Sequence, residues 1–160
     1  MNETERNIRI VPNGILLNEV RQLVNEGHPV KLRVKGSSML PFIVGDRDDV
    51  LITKSATYRK SDIALAEVGK DHYVLHRLIS VEGCQPDDKV ILMGDGVLKN
   101  QEHCRIKNIV GLVTVIYRNG KPVDAYCRSE RMIYHIWKGL KPCRRYLLAV
   151  IRRLSKFKAK

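Results

Sequence analysis

From residue 29 to residue 126 the apolar residues come in short runs closed by turn signals at a spacing of roughly ten residues, and that punctuation points to a β-sheet architecture. Val30, Leu32 and Val34 alternate with Lys31, Arg33 and Lys35, as in a half-buried strand. Asp48 to Thr53 begins acidic and becomes a second strand, and Ser61 to Val68 reads as a third. Gly69-Lys70-Asp71-His72 is a hairpin turn into a return strand, Tyr73 to Val81. Gln85 to Asp88 turns again, Lys89 to Gly94 is another strand, and Asp95-Gly96 is its tight end. Val97 to Lys107 reads as irregular and polar. Ile109 to Tyr117 is the most apolar run, turned by Arg118 to Pro122.

Helices are expected on both sides of this core. Ile15, Leu16, Val20, Leu23 and Val24 recur near helical spacing, and Asn25-Glu26-Gly27 supplies a stop, so the spacing predicts a helix over 14–26. After residue 127 the chain reads as two helices interrupted at Lys141-Pro142. Ile133, Ile136, Trp137 and Leu140 share a face of the first. Leu147, Val150, Ile151, Leu154 and Phe157 share a face of the second, opposite Arg144, Arg145, Arg152, Arg153 and Lys156. Three segments follow: 1–28, a β-rich domain over 29–127, and a basic helical tail over 128–160.

One stretch promises chemistry. The strand ending at Lys35 runs into Gly36-Ser37-Ser38-Met39-Leu40-Pro41. A serine on a sharp turn after a strand frees its hydroxyl and turns out its backbone N–H, offering nucleophile and oxyanion donor together. An ordinary Gly-Ser turn has the same composition. Two further stretches bear on the choice, Tyr73-Val74-Leu75-His76-Arg77-Leu78-Ile79 and Ile91-Leu92-Met93-Gly94-Asp95-Gly96.

Taken in order, these stretches resemble the signal peptidase I and LexA-type serine peptidase superfamily over residues 29 to 117, closest to its Ser-His, endoplasmic-reticulum branch. The resemblance implies a small coiled β-sheet barrel. It makes Ser38, directly before Met39, the nucleophile, and His76 of the His76-Arg77 pair the base. Asp95 of Gly94-Asp95 would orient the imidazole, and Gly36, Ser37 and Met39 would line the oxyanion and substrate site. Arg77, on the other face of the strand, is expected in a structural ion pair. The departures are Gly36, where many bacterial relatives carry a serine, and Lys99-Asn100-Gln101-Glu102, where the Ser-His branch carries an aspartate. The strands beside the nucleophile would pair with an extended substrate; the basic side chains of Lys31 to Lys35 equally suit protection of a sheet edge.

Composition narrows the partners. The net charge is +12, yet residues 128–160 hold eleven of the 29 Lys and Arg and one of the 17 acids, so the preceding domain is nearly neutral. A basic amphipathic tail suits an anionic membrane surface; the same apolar face could instead pack on the domain. Nucleic acid is not expected, since no helix-turn-helix or aromatic-rich β-surface accompanies the charge. The polar Met1 to Arg6 lacks the make-up of a secretory signal, and no apolar run reaches membrane-spanning length. Cys84, Cys104, Cys127 and Cys143 lack short metal or redox spacing and suit free thiols. Asp46, Asp48 and Asp49 read as a solvated turn rather than a metal site, and no cofactor is expected.

These readings converge on a serine endopeptidase that cleaves a specific peptide or leader, cytoplasmic or peripheral on the inner membrane face. The alternative is a catalytically inactive peptide- or membrane-binding module of the same fold. A self-cleaving repressor fits less well, because the first 28 residues are too few for a DNA-binding domain and His76 stands where that branch has lysine.

Overall fold

The computed structural model describes residues 13–140 and 142–158, with the side chains of 17–140 and 142–153. The polar segment before Asn13 lies outside the described residues. Helix α1 spans Asn13–Asn25. It ends because Gly27 adopts a positive φ of 90°, which lets His28 N–H reach the carbonyl of Leu23 and Gly27 N–H that of Val24. Val20 and Val24 bury one side of α1 in the core.

Eight strands follow: β1 (Val30–Arg33), β2 (Asp49–Thr53), β3 (Ile63–Gly69), β4 (His72–Val81), β5 (Lys89–Met93), β6 (Glu102–Arg105), β7 (Ile109–Arg118) and β8 (Lys121–Asp124). All pairings are antiparallel, in the order β1-β2-β7-β3-β4-β5-β6, with β8 paired to β7. The fold is mainly β, as the punctuation predicts.

The barrel does not close. β1 and β6 are the two ends of the sheet, and no ladder joins them. β6 approaches β3 without pairing to it, and a groove of about 430 Å³ lined by Glu67, Lys70, His103 and Arg105 separates them. β3 is already paired to β4 on one side and to β7 on the other. The sheet therefore curls around two cores. One contains Val24, Ile52, Val113 and Ile116; the other contains Leu78, Val90, Leu92 and Leu112.

Two segments differ from the expectation. The stretch 97–107, read as irregular, contains β6 and opens a 3-10 turn over Ile106–Asn108. Pro122, read as part of a turn, pairs with Tyr117 inside β8, a strand with only one neighbour, where a missing N–H is tolerated.

The tail forms α2 (Arg128–Gly139) and α3 (Arg144–Lys158). Its expected apolar face divides: Trp137 is buried, whereas Ile133, Ile136 and Leu140 are exposed. Tyr134, Trp137 and Leu148 join the same core as α1 and the β1–β2–β7 side of the sheet. Phe42 meets the rings of Tyr134 and Trp137 edge-on, at centroid distances of 6.2 and 6.5 Å. Glu130, nearly buried, accepts two hydrogen bonds from Arg118 on β7, at 2.6 and 2.7 Å. Leu154, Lys156 and Phe157 lie outside the residues whose side chains are described. No helix among the described residues is long and apolar enough to cross a membrane.

Candidate active site

The loop joining β1 to β2 carries Ser38. Gly36 has a positive φ of 82°, and a Cβ on Gly45 would lie 2.1 Å from the Gly36 carbonyl oxygen, so the two ends of the loop meet backbone to backbone. Past Ser38 the chain dives inward: Met39, Leu40, Phe42 and Ile43 are all buried. Full burial of side chains of this size stabilises by roughly 1.5–3 kcal/mol each, enough to fix where the turn sits. The Leu40–Pro41 peptide is cis. Ser38 itself is half-buried above these side chains.

Asp48 secures the other side of the loop. Its buried carboxylate accepts from Val44 N–H at 2.8 Å and from Arg47 at 2.7 and 2.8 Å. Asp49 instead pairs with Arg33 and Lys31, and Asp46 is exposed, so the three carboxylates do not converge. No cluster of metal-ligating side chains occurs among the described residues. On β1, Lys31 also covers the Tyr117 ring at 4.0 Å, so the basic row of this edge strand is tied to its neighbours.

His76, on β4, comes to the Ser38 turn across Gly94. A Cβ on Gly94 would sit 2.4 Å from the Ser38 carbonyl oxygen and 3.1 Å from His76 Nε2. Those two atoms are therefore at most about 5.5 Å apart, the sum of the two distances. Gly96 N–H donates to the same Ser38 oxygen at 2.7 Å, and a Cβ on Gly96 would fall 2.6 Å from the Ser37 oxygen. Glycine is needed on both sides of Asp95 because two backbone turns touch there.

The Ser38 main chain and the His76 imidazole expected from the sequence thus lie near one another, although no hydrogen bond joins the two residues. Ser38 N–H donates to no described acceptor. Of the other residues expected at this site, Met39 buries its side chain in the core, leaving only its backbone for a ligand. Ser37 and Gly36 are exposed, and Ser37 O accepts from Leu40 N–H.

Asp95 does not orient the imidazole. Its carboxylate, 3% exposed, accepts from Arg77 Nε at 3.0 Å on both oxygens and from Arg77 Nη2 at 2.7 Å. Strand alternation explains the choice: Arg77 and His76 are consecutive and point to opposite faces, and Asp95 lies on the Arg77 side. Arg77 also donates to Ser61 O at 2.8 Å and lies 4.1 Å from the centre of the Tyr134 ring. The ion pair expected of Arg77 is this one.

Burial pushes the His76 imidazole below its ordinary value, while the negative charges of Glu102 and then Asp95 pull it back. His76 Nδ1 is buried with no hydrogen-bond partner. Glu102, on β6 and paired in register with Leu92, is thus the carboxylate whose field on His76 is larger. Sequence reasoning passed over it while seeking an aspartate after Gly94-Asp95. Its place in that neighbourhood was the available signal. The Cys104 thiol is pushed up to about 11 by burial, so it is protonated and no rival nucleophile.

The C-terminal helices reach the same turn from behind. Trp137 Nε1–H donates to Asp95 O at 3.0 Å, Arg144 Nη2 to the same oxygen at 3.3 Å, and Arg152 Nη2 to Gly96 O at 3.0 Å. No family model matches this chain, and no curated protein resembles it at a significant level.

Proposed function

We propose that the chain is a serine endopeptidase of the signal peptidase and LexA type, with Ser38 as nucleophile and His76 as base. The observation that carries this reading is the junction at Gly94, where the Ser38 turn and His76 Nε2 meet. A desolvated imidazole is neutral near pH 7 and free to accept a proton.

In the first step His76 Nε2 takes the Ser38 hydroxyl proton as the oxygen attacks the scissile carbonyl carbon. Ser38 N–H, which has no acceptor among the described residues, is free to donate to the developing oxyanion. Collapse breaks the C–N bond, and the imidazolium returns its proton to the leaving amine. Water, deprotonated by His76, then releases the acyl group and restores Ser38. Glu102, with a smaller contribution from Asp95, supplies the negative charge that favours the imidazolium, where the resemblance implies Asp95 as the orienting carboxylate. The occupant of the site is an extended peptide, and its sequence is to be found by experiment.

The test is incubation of the full chain with a proteome-derived peptide library, read by mass spectrometry. Defined cleavage that disappears in both Ser38→Ala and His76→Ala, with unchanged melting, supports the reading. The unpartnered Nδ1 favours a second reading, an inert peptide-binding module. Peptide capture by the unaltered chain without cleavage, unchanged in Ser38→Ala, would establish that instead.

A further inference from the structure

Among the described residues, six of the nine exposed large apolar side chains lie on α2 and α3, and a seventh, Leu140, caps α2. Ile133, Leu140 and Leu147 recur every seven residues, with Ile136 and Val150 between and beyond them. Ile136 and Val150 are 57% and 56% exposed, far more than folding on the domain requires. The helices nearly continue into one another, since Arg144 N–H donates to Leu140 O and Leu147 N–H to Cys143 O. Helical spacing keeps Ile133, Ile136 and Leu140 along one side of α2, and Leu147 and Val150 along one side of α3. The inward side is already occupied by Tyr134, Trp137 and Leu148. The outer stripe is therefore a second apolar surface that the domain does not cover.

Charge identifies what covers it. No acidic residue follows Glu130 in the sequence, and Glu130 itself is held by Arg118. Lys138, Arg145 and Arg153 are exposed on the same helices. A second copy docking face to face would bring these like charges together, and the stripe is too aliphatic to stack nucleic-acid bases.

We infer that α2 and α3 lie flat on an anionic lipid bilayer, with Ile133, Ile136, Leu140, Leu147 and Val150 entering the interface and the basic side chains meeting lipid phosphates. The inference does not depend on hydrolysis. It explains why a strongly basic tail is fastened to the domain by one side only. It also brings the helices that hold Asp95 and Gly96 to the lipid surface.

Vesicle co-sedimentation of the full chain tests it, using phosphatidylcholine alone and phosphatidylcholine mixed with phosphatidylglycerol. Binding is expected to the mixed vesicles and to weaken on raising salt from about 0.1 M to about 0.5 M, as the Debye length shortens. Ile136→Asn with Val150→Asn, and separately Arg145→Glu with Arg153→Glu, should each weaken binding about tenfold or more. Both pairs are exposed, and equal melting temperatures confirm that the variants fold. Ser38→Ala should bind as the unaltered chain does. Absence of binding, equal recovery on neutral and anionic vesicles, or a concentration-dependent dimer abolished by Ile136→Asn without vesicle binding would overturn the inference.

Discussion

Trp137 donates its indole N–H to the main-chain oxygen of Asp95 over 3.0 Å, so a helix near the end of the chain grips the turn against which the Ser38 loop rests. Trp137→Phe keeps most of the packing against Phe42 but leaves that oxygen to Arg144 alone. The expected cost is about 0.5–1.5 kcal/mol, the net worth of one hydrogen bond. Trp137→Ala should cost about 3–5 kcal/mol by emptying the ring site as well. Urea denaturation of both variants measures the difference. A Trp137→Phe variant as stable as the unaltered chain would show that the indole N–H contributes nothing, and equal losses would show that the ring adds nothing beyond it.

Gly94 lies between the Ser38 main chain and the His76 imidazole. In Gly94→Ala the new methyl would meet the Ser38 carbonyl oxygen at 2.4 Å, and the opposing atom is backbone, so one of the turns must move. Overpacking of this kind costs about 1–3 kcal/mol, within what a folded chain tolerates. Displacement of Ser38 from His76 by about 1 Å should lower peptide hydrolysis by on the order of a hundredfold. Measuring kcat/KM alongside the melting temperature separates the two effects. A folded Gly94→Ala variant of normal activity would remove the case that this junction is the reaction centre.

The strands were legible in the sequence because turn residues bound them and because β1 alternates cleanly between Val, Leu and basic side chains. β6 was not: Glu102-His103-Cys104-Arg105 carries no apolar alternation, and it is a strand because β5 offers it a ladder. The helical stripe in α2 was legible as amphipathic, yet spacing alone could not tell which flank faces inward. Tertiary contact decided it, since Phe42 draws Tyr134 and Trp137 while Ile133 and Ile136 stay out. Ser38 and His76 are singled out by a resemblance rather than by periodicity. The pairing of Asp95 was not legible, because His76 and Arg77 are adjacent in sequence and only the fold reveals that Asp95 serves the arginine.

His76 sets the pH dependence. Its pKa in the folded chain is held below the ordinary histidine value of about 6.5, first by burial. The acid limb of kcat/KM should therefore lie below pH about 6.5. Glu102→Gln removes a charge that raises the pKa and should move that limb further down, whereas an unmoved limb would dissociate Glu102 from the imidazole. Stability follows the same group. The folded chain binds fewer protons than the unfolded one between the two pKa values, so this contribution is complete above pH about 6.5 and is lost as pH falls towards the folded pKa. His76→Gln should accordingly lose less stability than the unaltered chain between neutral and mildly acidic pH.

The Arg77–Asp95 pair separates a structural role from a catalytic one. Both side chains are almost fully buried, and three hydrogen bonds join them. Arg77→Leu strands a buried carboxylate and should cost about 3–5 kcal/mol, while the double replacement Arg77→Leu with Asp95→Leu should recover much of that loss because neither charge remains unpaired. Asp95→Asn retains the shape and part of the hydrogen bonding. If Asp95 acts only through Arg77, Asp95→Asn lowers the urea midpoint while kcat per folded molecule stays within about threefold. Removing the orienting carboxylate of a Ser-His-Asp triad costs far more, about ten-thousandfold in kcat. A loss of that size in folded Asp95→Asn would show that the carboxylate leaves Arg77 for His76 during turnover, and Glu102 would then lose the role assigned to it.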